Sequence, residues 1–468
     1  MQTLYDSTLL FCKKRKEDDI LAAARDMTKG SPLKIMLGFT VPVLIGNIFQ
    51  QLYSMVDTVI VGKFVGTGAL AAVGSTGTVI FLILGFLMGF SAGITVITSQ
   101  RFGAGDIKGM KKSISNAAIL AASISVIMTV LSLVFMKPLL TLMNTPEDIF
   151  ADAYSYISVI CLGICTQVLY NILSAMLRAV GNSKTPLYFL IISALLNIVL
   201  DLVFIINFKM GTAGAAWATV ISQGISGLAC LIYIMKYVPM LRPGKGNWRL
   251  DKRLAVNQIK VGIPMALQFS ITAIGSIIMQ SCLNTFGSVT VAAFTAASKV
   301  EQLATQAFMA IGTCMATYCA QNTGARDIDR LKRGCFIGTV SGCVYAIVVG
   351  LVLVFFGKYL TGLFVSDNLE EITGLVDVYM RCVGGFFIPL SFIFIYRNAL
   401  QGMGYGFLPM CAGIAELVGR GVVAVIGANM GSYLVVCLSH AAAWICAGAL
   451  LFIVYLVIIR KAEREWTK

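Results

Sequence analysis

The sequence predicts an all-α integral membrane protein. Its twelve transmembrane helices form two homologous six-helix bundles, related by a pseudo-twofold axis along the membrane normal. Three observations carry this. Hydrophobic residues make up 58% of the 468-residue chain and charged residues 12%, against about 45–50% and about 25% in soluble domains. The apolar runs are long enough for helices that cross a hydrocarbon core, and too long for barrel strands. Short motifs of the first half also recur in the second half in the same order.

Runs of spanning length fall at 35–61, 69–99, 114–136, 151–174, 187–207 and 213–235, then at 258–282, 291–319, 335–356, 376–399, 408–427 and 433–459. This divides the chain into a cytoplasmic N-terminal segment (1–34), a first bundle (35–237), a basic cytoplasmic linker (238–257), a second bundle (258–459) and a cytoplasmic tail (460–468). No cleavable signal peptide is read. The charged stretch "FCKKRKEDDILAAARD" suggests either a cytoplasmic amphipathic helix within 1–26 or a true start at Met27.

The net charge of +14 is a topology signal and not a nucleic-acid surface. Basic residues concentrate in one set of loops, whereas the opposite set holds only Lys63, Lys137, Lys209 and Lys358. By the positive-inside rule both termini are cytoplasmic, in the inner membrane of the cell. The acidic loops "NTPEDIFAD" and "SDNLEE" fall outside.

"QRFGAGDIKGMKKS" at 100–113 pairs with "QNTGARDIDRLKRG" at 321–334, Pro42 with Pro264, and "LRAVGNSKTP" at 177–186 with "LQGMGYGFLP" at 400–409. Six spans per repeat, an even number, give both halves the same orientation, with a cavity expected between them near the midplane. Such duplication points to alternating-access transport. An enzyme is not expected: the single histidine, His440, excludes His-rich metal or triad chemistry, and no P-loop is present. The 13 cysteines are read as small packing residues, many of them, such as Cys161, Cys165, Cys314, Cys343 and Cys446, inside apolar runs, and His440 as a polar packing residue in the last span. No cofactor is expected.

Ionisable groups inside a membrane need a partner, water or a neutral state. Those within the runs include Asp57, Asp201, Glu301 and Glu416. Asn197 and Asp201 are four residues apart and share a helix face, with Ser193 one turn earlier. Two carboxylates, an amide and a hydroxyl suit a small hard cation, and equally a proton. The plainer alternative is that each Asp bonds to hydroxyls or backbone and pins helices together. Gln50, Gln51 and Tyr53 precede Asp57 by one to two turns and suit loose recognition of amphipathic cations. Pro42 inside the first helix permits a bend, and "GFLMGFSAG" permits close helix approach. Glu416 and Arg420 form an i, i+4 pair, or Glu416 pairs across helices with Arg397, in a polar network of the second bundle. Glu301 is either neutralised by neighbouring Lys299 or faces the cavity.

From about Thr28 onward the chain resembles the multidrug and toxic compound extrusion (MATE) transporters. The residues that carry the resemblance are "MTKGSPLK", "VPVLIGNIFQQLYSMVDTVIVGKFVG", "ALAAVG", "SQRFGAGD", "LRAVGNSKTP", "NIVLD", "GTAGAAWAT", "QNTGARD" and "LQGMG". The resemblance implies two six-helix bundles in a V. It also implies export of small amphipathic, often cationic compounds in exchange for Na⁺ or H⁺. Within one branch it implies a coupling site of Asp57, Asn197, Asp201 and Thr219. Another branch carries a second ion site, but its Glu corresponds here to Thr272 and its Asp to Pro389, while Met279 stands near the duplicate position of Asp57. The coupling site is therefore expected in the first bundle. Expected partners are small organic compounds and membrane lipids, with the protein a monomer. A flippase for lipid-linked precursors, from the same wider superfamily, is the rival reading.

Overall fold

The computed structural model describes residues 24–466 apart from 144, 245, 247 and 362–368. Most of the helix expected within 1–26 lies outside these, and so do the side chains of 366–371 in the acidic loop. The described residues form fourteen α-helices and no strand. In chain order they are α1 (Pro32–Phe64), α2 (Thr67–Gly103), α3 (Ile107–Leu142), α4 (Glu147–Leu162), α5 (Ile164–Ala179), α6 (Lys184–Leu202) and α7 (Gly211–Tyr237). The second half follows with α8 (Lys252–Asn284), α9 (Ser288–Ala325), α10 (Ile328–Thr361), α11 (Leu369–Gly385), α12 (Phe387–Gly402), α13 (Phe407–Asn429) and α14 (Tyr433–Trp466). Ten candidate spans are single helices, α6 being extended to Asn207 by a π turn; α4–α5 and α11–α12 are bent pairs that complete twelve.

The two bends were not expected from the apolar runs at 151–174 and 376–399. They measure 47° and 48°. At the first, Gly163 passes so close to α7 that a β-carbon would lie 2.2 Å from Val220 Cγ2. At the second, Pro389 in the first turn of α12 has no N–H to offer Gly385, which removes one helical hydrogen bond across the break. Pro42, by contrast, sits within a continuous α1.

The duplication extends to the turns. Gly105 (φ 71°) and Arg326 (φ 55°) both end a helix in the left-handed region. The next residue in each case, Asp106 or Asp327, accepts the N–H three residues on, from Gly109 or Arg330, at 2.8 and 2.9 Å. This is the capping chemistry that starts α3 and α10.

Helix α2 lies against α8 and α9 of the other half. The expected small-residue face is used: β-carbons on Gly89 and Gly93 would stand 2.5 Å from Met265 O and 2.6 Å from Gly262 Cα. Further along, Gly103 and Gly324 bring the ends of α2 and α9 into backbone contact. Their β-carbons would lie 1.9 Å from Gln321 O and 1.8 Å from Gln100 O. Polar side chains then tie the halves. Gln100 donates to Gly402 O (2.9 Å) and Gln321 to Ala179 O (2.9 Å). Gln258 donates to Ile94 O and Ser113 O, and Asn116 exchanges two hydrogen bonds with the backbone of Asp251. Residues 27–30 form a strap: Met27 N donates to Gln321, while Arg330 grips the carbonyls of Met27 and Gly30.

These ties gather at the end of the molecule that carries the basic loops. At the opposite end α1 and α2 stand apart from the second half. Leu52, Ser54, Met55, Val56, Thr58 and Val59 of α1 are exposed. Nothing lies within 4 Å of a β-carbon built on Gly68, Gly74 or Gly77 of α2. The ties between the halves are thus concentrated at the basic end.

Of the cysteines read as packing residues, Cys161 and Cys314 are buried and Cys343 partly so, whereas Cys165 and Cys446 lie on the outer surface. An apolar surface is not a core, and a hydrophobic residue in a span faces lipid as readily as protein.

Candidate functional site

In the first half α1 packs on α6, and α6 on α7, which brings four expected residues together. Asp57 of α1 is 9% exposed, while Asn197 and Asp201 of α6 are 1% and 0% exposed. The i, i+4 spacing of the last two points both into the bundle. The carboxyls of Asp57 and Asp201 are neighbours across the α1–α6 contact. Asn197 Nδ2 donates to Thr219 Oγ1 of α7 at 3.4 Å.

The unsatisfied atoms are what distinguish the cluster. Asp57 Oδ1, both carboxyl oxygens of Asp201, Asn197 Oδ1 and Gln223 Oε1 are buried with no hydrogen-bond partner. Buried polar oxygens are rarely left so, and each one costs about 1–3 kcal/mol or more. Here the orphan oxygens belong to neighbouring residues of α1, α6 and α7. No lysine or arginine forms an ion pair with either Asp among the described residues. The donor set is carboxylate, amide and hydroxyl, suited to a hard cation or a proton. No group of three or more His, Cys, Asp or Glu with metal-holding geometry occurs among the described residues.

Sequence reading missed three contributors. Gln223 lies one turn after Thr219 on the same face of α7, a spacing visible in "TVISQ". Tyr156 of α4 comes close to both carboxylates and to Tyr53, and nothing in its local sequence signals this. A π turn, Val203–Asn207, begins two residues after Asp201; such turns are rare and concentrate at functional sites.

Tyr53 stands beside Asp57, Asp201 and Gln223. Gln50 is exposed and Gln51 half-buried, two turns before Asp57. In the second half Glu301 turns away from Lys299, as residues two apart on a helix must, and accepts a hydrogen bond from the Tyr379 hydroxyl. His440 is wedged against Phe294, Tyr379 and Trp444. Glu416 takes both expected partners, Arg397 across helices and Arg420 on its own, each at 2.8 Å.

A duplicated, all-helical polytopic membrane protein with buried carboxylates inside a span-bearing bundle is the architecture of a membrane transporter. The chain belongs to the MatE family, whose profile matches residues 42–203 and 264–426, once in each half. It is 31% identical to the probable multidrug resistance protein YpnP of Bacillus subtilis, over 81% of this chain and 85% of that protein. It is 24% identical to an FAD transporter of Shewanella oneidensis, over 86% and 88% of the two chains. The fold matches a solved MOP-superfamily transporter from Pyrococcus furiosus with a TM-score of 0.88 at 22% identity, covering 94% of this chain and 98% of that one. The family is one of transporters, not of enzymes.

Proposed function

We propose that the protein is a secondary active antiporter that exports small amphipathic organic compounds, cations among them, in exchange for Na⁺ or H⁺. The observation that carries this reading is the group of orphan oxygens around Asp57 and Asp201. Two adjacent carboxylates without a basic partner need a proton or a cation between them, and a site that must be filled to be stable is one that an ion gradient can drive. The likeness to a multidrug resistance protein supports the cargo class.

The concentration of inter-half ties at one end supports alternating access, that end being the basic and in this reading the cytoplasmic one. Ion and cargo can shift such an equilibrium only through their different affinities for the two states. In this reading the protein works as a monomer in the cytoplasmic membrane, with both termini inside. The flippase reading is weaker: a lipid diphosphate needs several free basic groups, and here Arg397 and Arg420 share one Glu416.

The test is reconstitution in liposomes under an imposed Na⁺ or pH gradient, with a fluorescent cationic dye as cargo. Wild type exports the dye under one of the two gradients, and Asp57→Asn loses at least ten-fold in rate. Equal export by the variant removes the coupling role of Asp57.

A further inference from the structure

The two seams between the halves at the basic end are filled differently. The repeat pairs Asp106 with Asp327, Gly109 with Arg330, and the approach to α1 at 27–30 with the approach to α8 at 249–252. In one seam the guanidinium of Arg330 reaches across to the carbonyls of Met27 and Gly30, at 2.9 and 2.8 Å. In the other its position is held by Gly109, which sends no side chain across. A cavity of about 390 Å³ stands there, with Gly109 in its wall.

Positive charge gathers around this space. Arg101, Lys108, Lys112 and Arg253 line it, against the carboxylates of Asp106 and Asp251. All four cations are exposed, so an anion reaches them. Both carboxylates already serve as helix caps: Asp106 accepts Gly109 N and also pairs with Arg101, and Asp251 accepts Leu254 N. No other acidic residue occurs in 96–120 or 240–260. Lys108, Lys112 and Arg253 form no ion pair among the described residues. The first turns of α3 and α8 also border the cavity, and N–H groups of a first turn lack partners within their helix.

The cavity has an apolar rim. Its charged residues fall just outside the apolar runs that end at 99 and begin at 114 and 258. On α8, Val256 and Ile259 follow Arg253 at three-residue steps and are exposed, as is Ile107 beside Lys108. Trp248 and Leu250, exposed in the approach to α8, add an anchor of the kind found at bilayer interfaces. A soluble anion has no use for such a rim, whereas a phosphate that carries acyl chains does. Basic pockets between spanning helices suit anionic headgroups.

We propose that Arg101, Lys108, Lys112 and Arg253 form a site for the phosphate group of an anionic phospholipid, in the leaflet that the basic end faces. The walls come from the α2–α3 corner of the first half and from α8 of the second. A bound lipid thus spans the seam that has no counterpart of Arg330, and it adds to the ties between the halves. The site is independent of which ion or cargo is carried.

The test is native mass spectrometry of the full chain in non-ionic detergent, titrated with phosphatidylglycerol or phosphatidylcholine. Wild type holds one phosphatidylglycerol at least ten-fold more tightly than phosphatidylcholine. Lys112→Gln with Arg253→Gln, which breaks no ion pair, loses that preference. Arg333→Gln with Arg460→Gln removes the same charge elsewhere at the basic end and keeps it. Equal loss in the two double variants means diffuse attraction and overturns the site. A wild type without preference, or a Lys112→Gln, Arg253→Gln variant that retains it, does the same. Inorganic phosphate and glycerol 3-phosphate are then added as competitors. Displacement of the lipid by either at equal concentration assigns the cavity to a soluble phosphate and overturns the lipid. In nanodiscs, phosphatidylglycerol should raise the melting temperature of wild type and of the Arg333, Arg460 variant, and not that of the Lys112, Arg253 variant. An equal rise in all three means that the lipid does not tie the seam.

Discussion

Gln100 and Gln321 make the same hydrogen bond in opposite directions: each reaches from its own half to the last carbonyl of a short helix in the other, Gly402 or Ala179. The repeated Q-x-x-G-A motif is therefore a reciprocal latch across the pseudo-twofold axis. Gln321 also accepts Met27 N. Its change to Ala removes two buried hydrogen bonds, each worth about 1 kcal/mol. Electron–electron distances between spin labels at Lys112 and Arg326 should lengthen and broaden in Gln321→Ala. An unchanged distribution would mean that the latch does not hold this end closed.

Gly103 and Gly324 permit the backbone contact on which the latch depends. Ala at either position puts a β-carbon against a carbonyl oxygen at under 2 Å, and overpacking of this kind costs about 1–3 kcal/mol. Gly103→Ala should open the basic end in the same distance measurement, while Gly68→Ala, in open space, should not. Similar behaviour of the two variants counts against the contact.

At the carboxylate site Asp201→Asn removes one of two like charges that face each other without a basic partner. Thermal stability should stay level or rise while gradient-driven export falls at least ten-fold. A large drop in melting temperature would instead assign Asp201 the helix-pinning role considered from sequence.

Thr219 contributes through a long hydrogen bond to Asn197. Thr219→Val should cost less than about 1 kcal/mol of stability. Its effect should appear as a higher concentration of driving ion for half-maximal export. An unchanged ion dependence would remove Thr219 from the coupling site.

Among the described residues Glu416 is the carboxylate that pairs with two arginines, Arg397 and Arg420. Removing the shared partner of buried charges costs about 3–5 kcal/mol. Glu416→Gln should therefore lower the melting temperature far more than Arg397→Met, which leaves a neutral pair. Equal destabilisation would mean that Glu416 is not the shared partner of the two arginines.

Hydrophobic length made the spans legible in sequence, because a bilayer imposes it on any chain that crosses it, and the repeated motifs made their pairing legible. The pairing of Asn197 with Asp201 was legible through helical spacing, and Gln223 should have been, four residues after Thr219. Tyr156 was not, since its approach depends on how α4 packs. The motifs holding Gln100 and Gln321 were visible as repeats, yet their reach into the opposite half is a property of packing that no local pattern encodes. The breaks at Gly163 and before Phe387 lie inside runs whose hydropathy is uninterrupted, so composition passed over them.

Those breaks bear on how the latch works. Ala179 and Gly402 are the final residues of α5 and α12, each a 16-residue segment set at 47–48° to the segment before it. Each glutamine thus grips the tip of a short lever, not the end of a full span. Prying one tip loose can swing a segment about its fulcrum while the neighbouring segment keeps its seat, so the two ends of the molecule need not move as one rigid stroke.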